Sequence, residues 1–116
     1  MKPSALFIIS GDPEASHRPA EAIRIAAGVG TWKKMDITVY LRDRAILALA
    51  EYVDTLVDED NFVRYLPILK DFTRPVYVQK GAVALMELGE ATLPFEAIDD
   101  CQLALLAAQH QYVVRF

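Results

Sequence analysis

The side chains able to do chemistry gather in three short stretches, each directly behind a run of apolar residues. The first reads Ser10, Gly11, Asp12, Pro13, Glu14, Ala15, Ser16, His17, Arg18. Placed between a strand and a helix, such a loop can hold an anion with backbone donors and Arg18, although Asp12 and Glu14 oppose a strongly anionic ligand. It matches neither G-x-G-x-x-G nor G-x-x-x-x-G-K-[ST], so it is no phosphate motif, and an ordinary strand-to-helix turn is its plainer explanation. His17 has no sequence neighbour to orient it as a base and fits a surface cap. The second stretch is Gln79, Lys80, Gly81, where Gly81 permits close approach of a backbone or ligand and Lys80 offers one positive charge. The third is Asp99, Asp100, Cys101. A thiol in a first helical turn is acidified by the helix field, but two adjacent carboxylates oppose that, and among Leu103, Leu105 and Leu106 the cysteine reads as a small buried hydrophobe.

Other groups promise less. Asp58, Glu59 and Asp60 read as a solvated loop and helix start rather than a metal site. Trp32 beside Lys33 and Lys34 could stack a nucleotide, but the chain is acidic and has no second aromatic nearby. His110 is expected to face solvent or cap the last helix. A formal charge of -4 without a dense basic cluster excludes the usual electrostatic footprint of nucleic acid and of acidic membranes. One cysteine rules out an intrachain disulfide, two histidines leave little for a zinc site, and no metal or cofactor is expected. A reducing cytoplasm is the expected compartment.

The elements that must position these residues follow from apolar runs. Ala5 to Ile9, Ile37 to Leu41, Pro75 to Gln79, Phe95 to Ile98 and Tyr112 to Arg115 read as strands. The first run is too short for a signal peptide or a membrane span. Between the runs lie helical patterns. Pro19 to Val29 carries Ala22, Ile23, Ala26 and Val29 on one stripe, with Gly28 and Gly30 closing it. A second starts at Asp43 as N-cap with Ile46, Leu49, Ala50 and Val53 inward, and a third runs from Asp60 with Phe62, Tyr65, Leu66 and Leu69 inward. Pro67 predicts a kink or a break in that third helix. A fourth spans Gly81 to Leu88 and ends at Gly89, and a fifth opens at Asp99 with Gln102 at the spacing of a capping box.

Alternating strands and helices without hairpin turns predict crossover connections, hence one flavodoxin-like α/β domain over residues 1–116 with five mostly parallel strands and helices on both faces. In such a sheet ligands bind at the carboxyl ends of the strands. A ligand site is therefore expected there from Gly11, Asp12, Ser16, His17, Arg18, Gln79, Lys80 and Gly81, with the third strand central and beside the first. At 53% apolar the chain has more hydrophobic material than so short a domain buries alone, which predicts a homo-oligomer.

The opening strand with its polar loop, the Ala-rich first helix followed by Met35, Asp36, Ile37, Thr38, Val39, Tyr40, Leu41, the strand Pro75, Val76, Tyr77, Val78, Gln79, and the ending Ile98, Asp99, Asp100 through Tyr112, Val113, Val114, Arg115, Phe116 resemble the DsrE/DsrF family, which includes the TusBCD sulfur-relay proteins. The likeness covers nearly the whole chain. It implies a small flavodoxin-like subunit of trimers or hexamers, sometimes with related subunits, which in some members passes a persulfide through a cysteine near the end of the third strand. Here that place holds Gln79, Lys80, Gly81 and no cysteine. Other members lack it too, so the implied fold stands while sulfur carriage does not transfer. The expectation is a non-catalytic binding or scaffold subunit. The alternative is a small-ligand enzyme or nucleotide-binding module using the strand-end cleft, for which no nucleophile and base pair is recognisable.

Overall fold

The computed structural model describes residues 3–32, 34–51 and 54–116. Five strands, β1 (Ser4–Ile9), β2 (Asp36–Leu41), β3 (Val76–Gln79), β4 (Phe95–Ile98) and β5 (Tyr112–Arg115), form one sheet in the order β4-β3-β2-β1-β5, all pairs parallel. Four helices connect them: α1 (Arg18–Thr31), α2 (Glu59–Leu69), α3 (Val83–Leu88) and α4 (Asp100–Ala108), with a 3-10 helix at Asp43–Leu49. This is the expected flavodoxin-like α/β architecture. Among the described residues no helix is long and apolar enough to cross a membrane.

Strand side chains alternate between two faces. Ala5, Phe7 and Ile9 of β1, Ile37, Val39 and Leu41 of β2, and Val76 and Val78 of β3 share one buried cluster with residues of α1, α2, α3 and the 3-10 helix. Leu6, Ile8, Tyr40 and Ile98 face the other way and meet Leu106 of α4. Helices thus lie on both faces, unequally. The first three crossovers step steadily from β1 to β4, and only the last returns across the sheet to place β5 beside β1.

Several sequence expectations need correction. The third strand is not central and does not adjoin the first, because each early crossover moves one strand outward and leaves β2 between them. Asp43 does not cap an α-helix. It is the first residue of the 3-10 helix, with φ 53°, behind Arg42. The apolar run Ala45–Leu49 is buried on every side, so it makes a short wedge against α3 rather than a one-faced helix; Val53 lies outside the described residues. Gly28 and Gly30 lie inside α1, which runs on to Thr31. The Phe72 ring packs against Gly30 where a Cβ would stand, so that glycine serves close approach rather than termination. Pro67 neither breaks α2 nor divides it. It stands in the last turn, so the helix forgoes the one bond that an N–H at this position would give the Val63 carbonyl, and only Ile68 and Leu69 follow it. α2 starts at Glu59 behind Asp58, and α3 starts only at Val83, since Gly81 takes φ 79° in the preceding turn.

Candidate functional site at the carboxyl edge of the sheet

The loop behind β1 uses its own polar groups. Asp12 Oδ1 accepts from the Glu14 N–H at 3.0 Å, and the Asp12 carbonyl accepts from Ala15 and Ser16 N–H at 3.1 and 2.9 Å. Ser16 Oγ accepts from the Arg18 N–H at 3.1 Å, so the serine closes the first turn of α1. His17 holds the N-cap position but makes no side-chain cap, correcting the cap role expected for it. The buried Pro13 anchors the loop by accepting the Val57 N–H at 2.8 Å. Donors at residues 14, 15, 16 and 18 that could face an anion are therefore engaged internally, and Arg18 stands exposed beside them.

The end of β2 organises this edge. Arg44 pairs through Nε with Asp12 at 3.2 Å, through Nη2 with Glu14 at 2.7 Å and through Nη1 with Glu87 of α3 at 3.0 Å. Partial burial opposes its charge, but Asp12, Glu14 and Glu87 outweigh that and hold the guanidinium above its ordinary value. One residue earlier, the Asp43 N–H donates to Gln79 Oε1 at 2.9 Å, and the Arg42 N–H donates to the Ile9 carbonyl at 3.0 Å. Of the expected site residues, Asp12 and Gln79 are thus joined through Asp43 and Arg44. Ser16, His17 and Arg18 lie at the start of α1. Lys80 and Gly81 lie towards β4, where the Lys80 N–H donates to the Ile98 carbonyl at 2.9 Å. Arg44 lies outside the three stretches the sequence marks, although the strand-end rule that holds behind β1, β3 and β4 points to it behind Leu41 as well.

At β4 the capping box is present: Asp99 Oδ1 accepts from the Gln102 N–H at 2.8 Å and Gln102 Oε1 accepts from the Asp99 N–H at 2.9 Å. Cys101 is exposed, correcting its expected burial, because α4 buries only Leu106. Beneath α4, Tyr40 is fully buried and its hydroxyl has no hydrogen-bond partner among the described residues. Burial pushes its phenol above the ordinary value of 10.0; Arg42 opposes this and Asp100 and Asp43 reinforce it. His110 does cap α4. Its Nδ1 lies 2.7 Å from the Leu106 carbonyl and its Nε2 lies 2.7 Å from Thr38 Oγ1. A carbonyl can only accept, so Nδ1 carries the proton, and in the neutral ring Nε2 accepts from the Thr38 hydroxyl. The ring fastens the end of α4 to β2.

Among the described residues, clefts also open away from this edge. One of about 660 Å³ is at the amino end of β2 between Gly30, Met35, Asp36, Phe72 and Arg74. An acidic one of about 500 Å³ joins Glu21, Asp54 and Asp58, and a more apolar one of about 400 Å³ lies between Phe62, Leu66 and Leu93. None of the three is lined by Gly11–Arg18 or Gln79–Gly81. Trp32 and Lys34 are both exposed behind α1, while Lys33 lies outside the described residues.

Fold and site together define a parallel α/β domain whose strand-end edge is closed by one arginine and three carboxylates. No protein-family model and no curated protein matches the chain. Among solved structures the ychN protein from E. coli matches over the whole of both chains, at 21% identity and a TM-score of 0.75. That likeness shows the fold.

Proposed function

We propose that the chain is a non-catalytic binding or scaffold subunit of the DsrE/DsrF kind, acting beside a partner that carries the reactive thiol. The ychN protein from E. coli shares its fold, and the sequence itself resembles the DsrE/DsrF family. The observation that carries the reading is Gln79. It stands at the end of β3, where the family resemblance places a sulfur-carrying cysteine, and its side chain is occupied in accepting the Asp43 N–H. On the same edge the Arg44 cation is taken up by Asp12, Glu14 and Glu87 together, which suits a structural surface better than one that activates a nucleophile. The subunit works in an assembly of its own kind, a trimer or hexamer, in the cytoplasm.

Incubation with a cysteine desulfurase and cysteine, followed by intact-mass and peptide mass spectrometry, tests this reading. The expected result is no stoichiometric, transferable persulfide on Cys101. Loading of Cys101 that is lost in Cys101→Ser together with delivery to an acceptor would overturn it.

A further inference from the structure

The seam between β2 and β3 is closed at one end only. The Asp36 N–H donates to the Pro3 carbonyl and the Arg42 N–H to the Ile9 carbonyl, so the even-numbered residues of β2 turn their peptide groups to β1 and the odd-numbered ones to β3. β3 answers at Tyr40↔Tyr77 and Leu41↔Val78 and no nearer the amino end. In that register the donor due to the Ile37 carbonyl belongs to residue 75, a proline without an N–H. The Ile37 N–H, the Ile37 carbonyl and the Val39 N–H have no hydrogen-bond partner among the described residues.

The cleft of about 660 Å³ opens onto this gap. Asp36, Ile37 and Thr38 all line it. Strand side chains alternate between faces, and Thr38 turns to the other one, towards His110, so three consecutive residues can meet one cleft only along the edge of the strand. Opposite that edge lies the segment leading into β3, with the Phe72 ring held against Gly30. Met35, Ile68 and Phe72 supply apolar walls, while Asp36, Asp71 and Arg74 are exposed at the rim.

We infer that this cleft binds a small, neutral, planar heterocycle with a hydrogen-bond donor and an acceptor side by side on one edge, the class of nucleobases and aromatic carboxamides. The Ile37 N–H meets the acceptor, the Ile37 carbonyl meets the donor, and the flat ring lies among the apolar walls. The volume is that of a small-molecule site. The open stretch from Ile37 to Val39 measures about 10 Å at about 3.3 Å per residue, and Tyr40↔Tyr77 closes it, which is too short a seam for an added peptide strand. Two rim carboxylates against one guanidinium disfavour an anionic ligand.

Amide-resolved NMR titration of the whole chain tests this, with uracil and nicotinamide as probes, and with methyl nicotinate, which keeps the ring but lacks the N–H donor, and the nicotinate anion as controls. In the free protein the Ile37 and Val39 amides should exchange rapidly with water. At least one probe should shift both amide protons saturably while those of Gly11 and Gln79 stay in place. The ester and the anion should bind at least about five-fold more weakly, the loss of one hydrogen bond. Thr73→Trp, which fills the cleft from an exposed position, should abolish the shifts with unchanged far-ultraviolet circular dichroism. Slow exchange at Ile37 and Val39 in the free protein would show those groups already bonded and overturn the inference. So would the absence of any shift with both probes, equal binding of ester and amide, or shifts that persist in Thr73→Trp. Each of these outcomes leaves the scaffold reading where it stands, because the carboxyl edge takes no part.

Discussion

Tyr40→Phe should stabilise the protein. The ring sits under α4 among Leu6, Ile8, Ile98 and Leu106, fully buried, and Phe preserves all of that packing. What the substitution removes is a hydroxyl that gave up water on folding and found no partner among the described residues. Such a group costs roughly 1–3 kcal/mol. The void left by one oxygen, about 15 Å³ at about 24 cal/mol per Å³, returns about 0.4 kcal/mol. A net gain of about 1 kcal/mol is expected, which raises Tm by about 4 °C in a domain of this size. The alkaline limb gives a second readout. Burial holds the folded phenol above its ordinary 10.0, so both states are protonated below that value and the unfolded chain releases its proton first above it. Wild-type stability attributable to this proton is therefore complete below 10.0 and lost as pH rises through the folded value. The Phe variant has no such loss, and its advantage should widen with pH. Denaturant unfolding near neutrality and at successive alkaline values measures both effects. A Phe variant less stable than wild type by about 1 kcal/mol would refute the reasoning, because it would show that the hydroxyl is well bonded.

Three further substitutions probe other parts of the fold. Thr38→Val keeps the shape but leaves His110 Nε2 without its donor, and should cost about 1 kcal/mol in denaturant unfolding. Gly30→Ala sets a methyl group against the Phe72 ring and should cost about 1–3 kcal/mol, with an altered Phe72 environment visible in side-chain NMR. Asp99→Ala removes the capping box and should cost about 1 kcal/mol, with faster amide exchange confined to the first turn of α4.

Much of this architecture is legible from local chemistry. The five strand-like runs lie within a residue of the strands, and for β1 and β2 the reason is burial on both faces, which demands a nearly unbroken apolar sequence. The Asp99 and Gln102 box is likewise visible, because its spacing is a property of a single helical turn. Three things were not legible, and each depends on contacts distant in sequence. Ala45–Leu49 carries a helical spacing, but burial on every side makes it a 3-10 wedge. Strand order depends on which way each crossover steps, which the apolar runs do not encode, and β2 stands between β1 and β3. Arg44 gains its meaning only when Asp12, Glu14 and Glu87 converge on it from two other elements. The Leu-rich run around Cys101 misled for the opposite reason. Its apolar character implies a buried surface, but within one copy of the chain most of that surface is exposed.

The claim that this chain supports sulfur transfer without carrying sulfur is tested most directly by following labelled sulfur from a cysteine desulfurase to an acceptor, in the presence of a thiol-bearing partner subunit. Wild type and Cys101→Ser are added in equal amounts and the rate of delivery is measured. The account predicts that both raise delivery to the same extent and that neither retains label. Label held on the wild-type chain, with delivery abolished by Cys101→Ser, would contradict it.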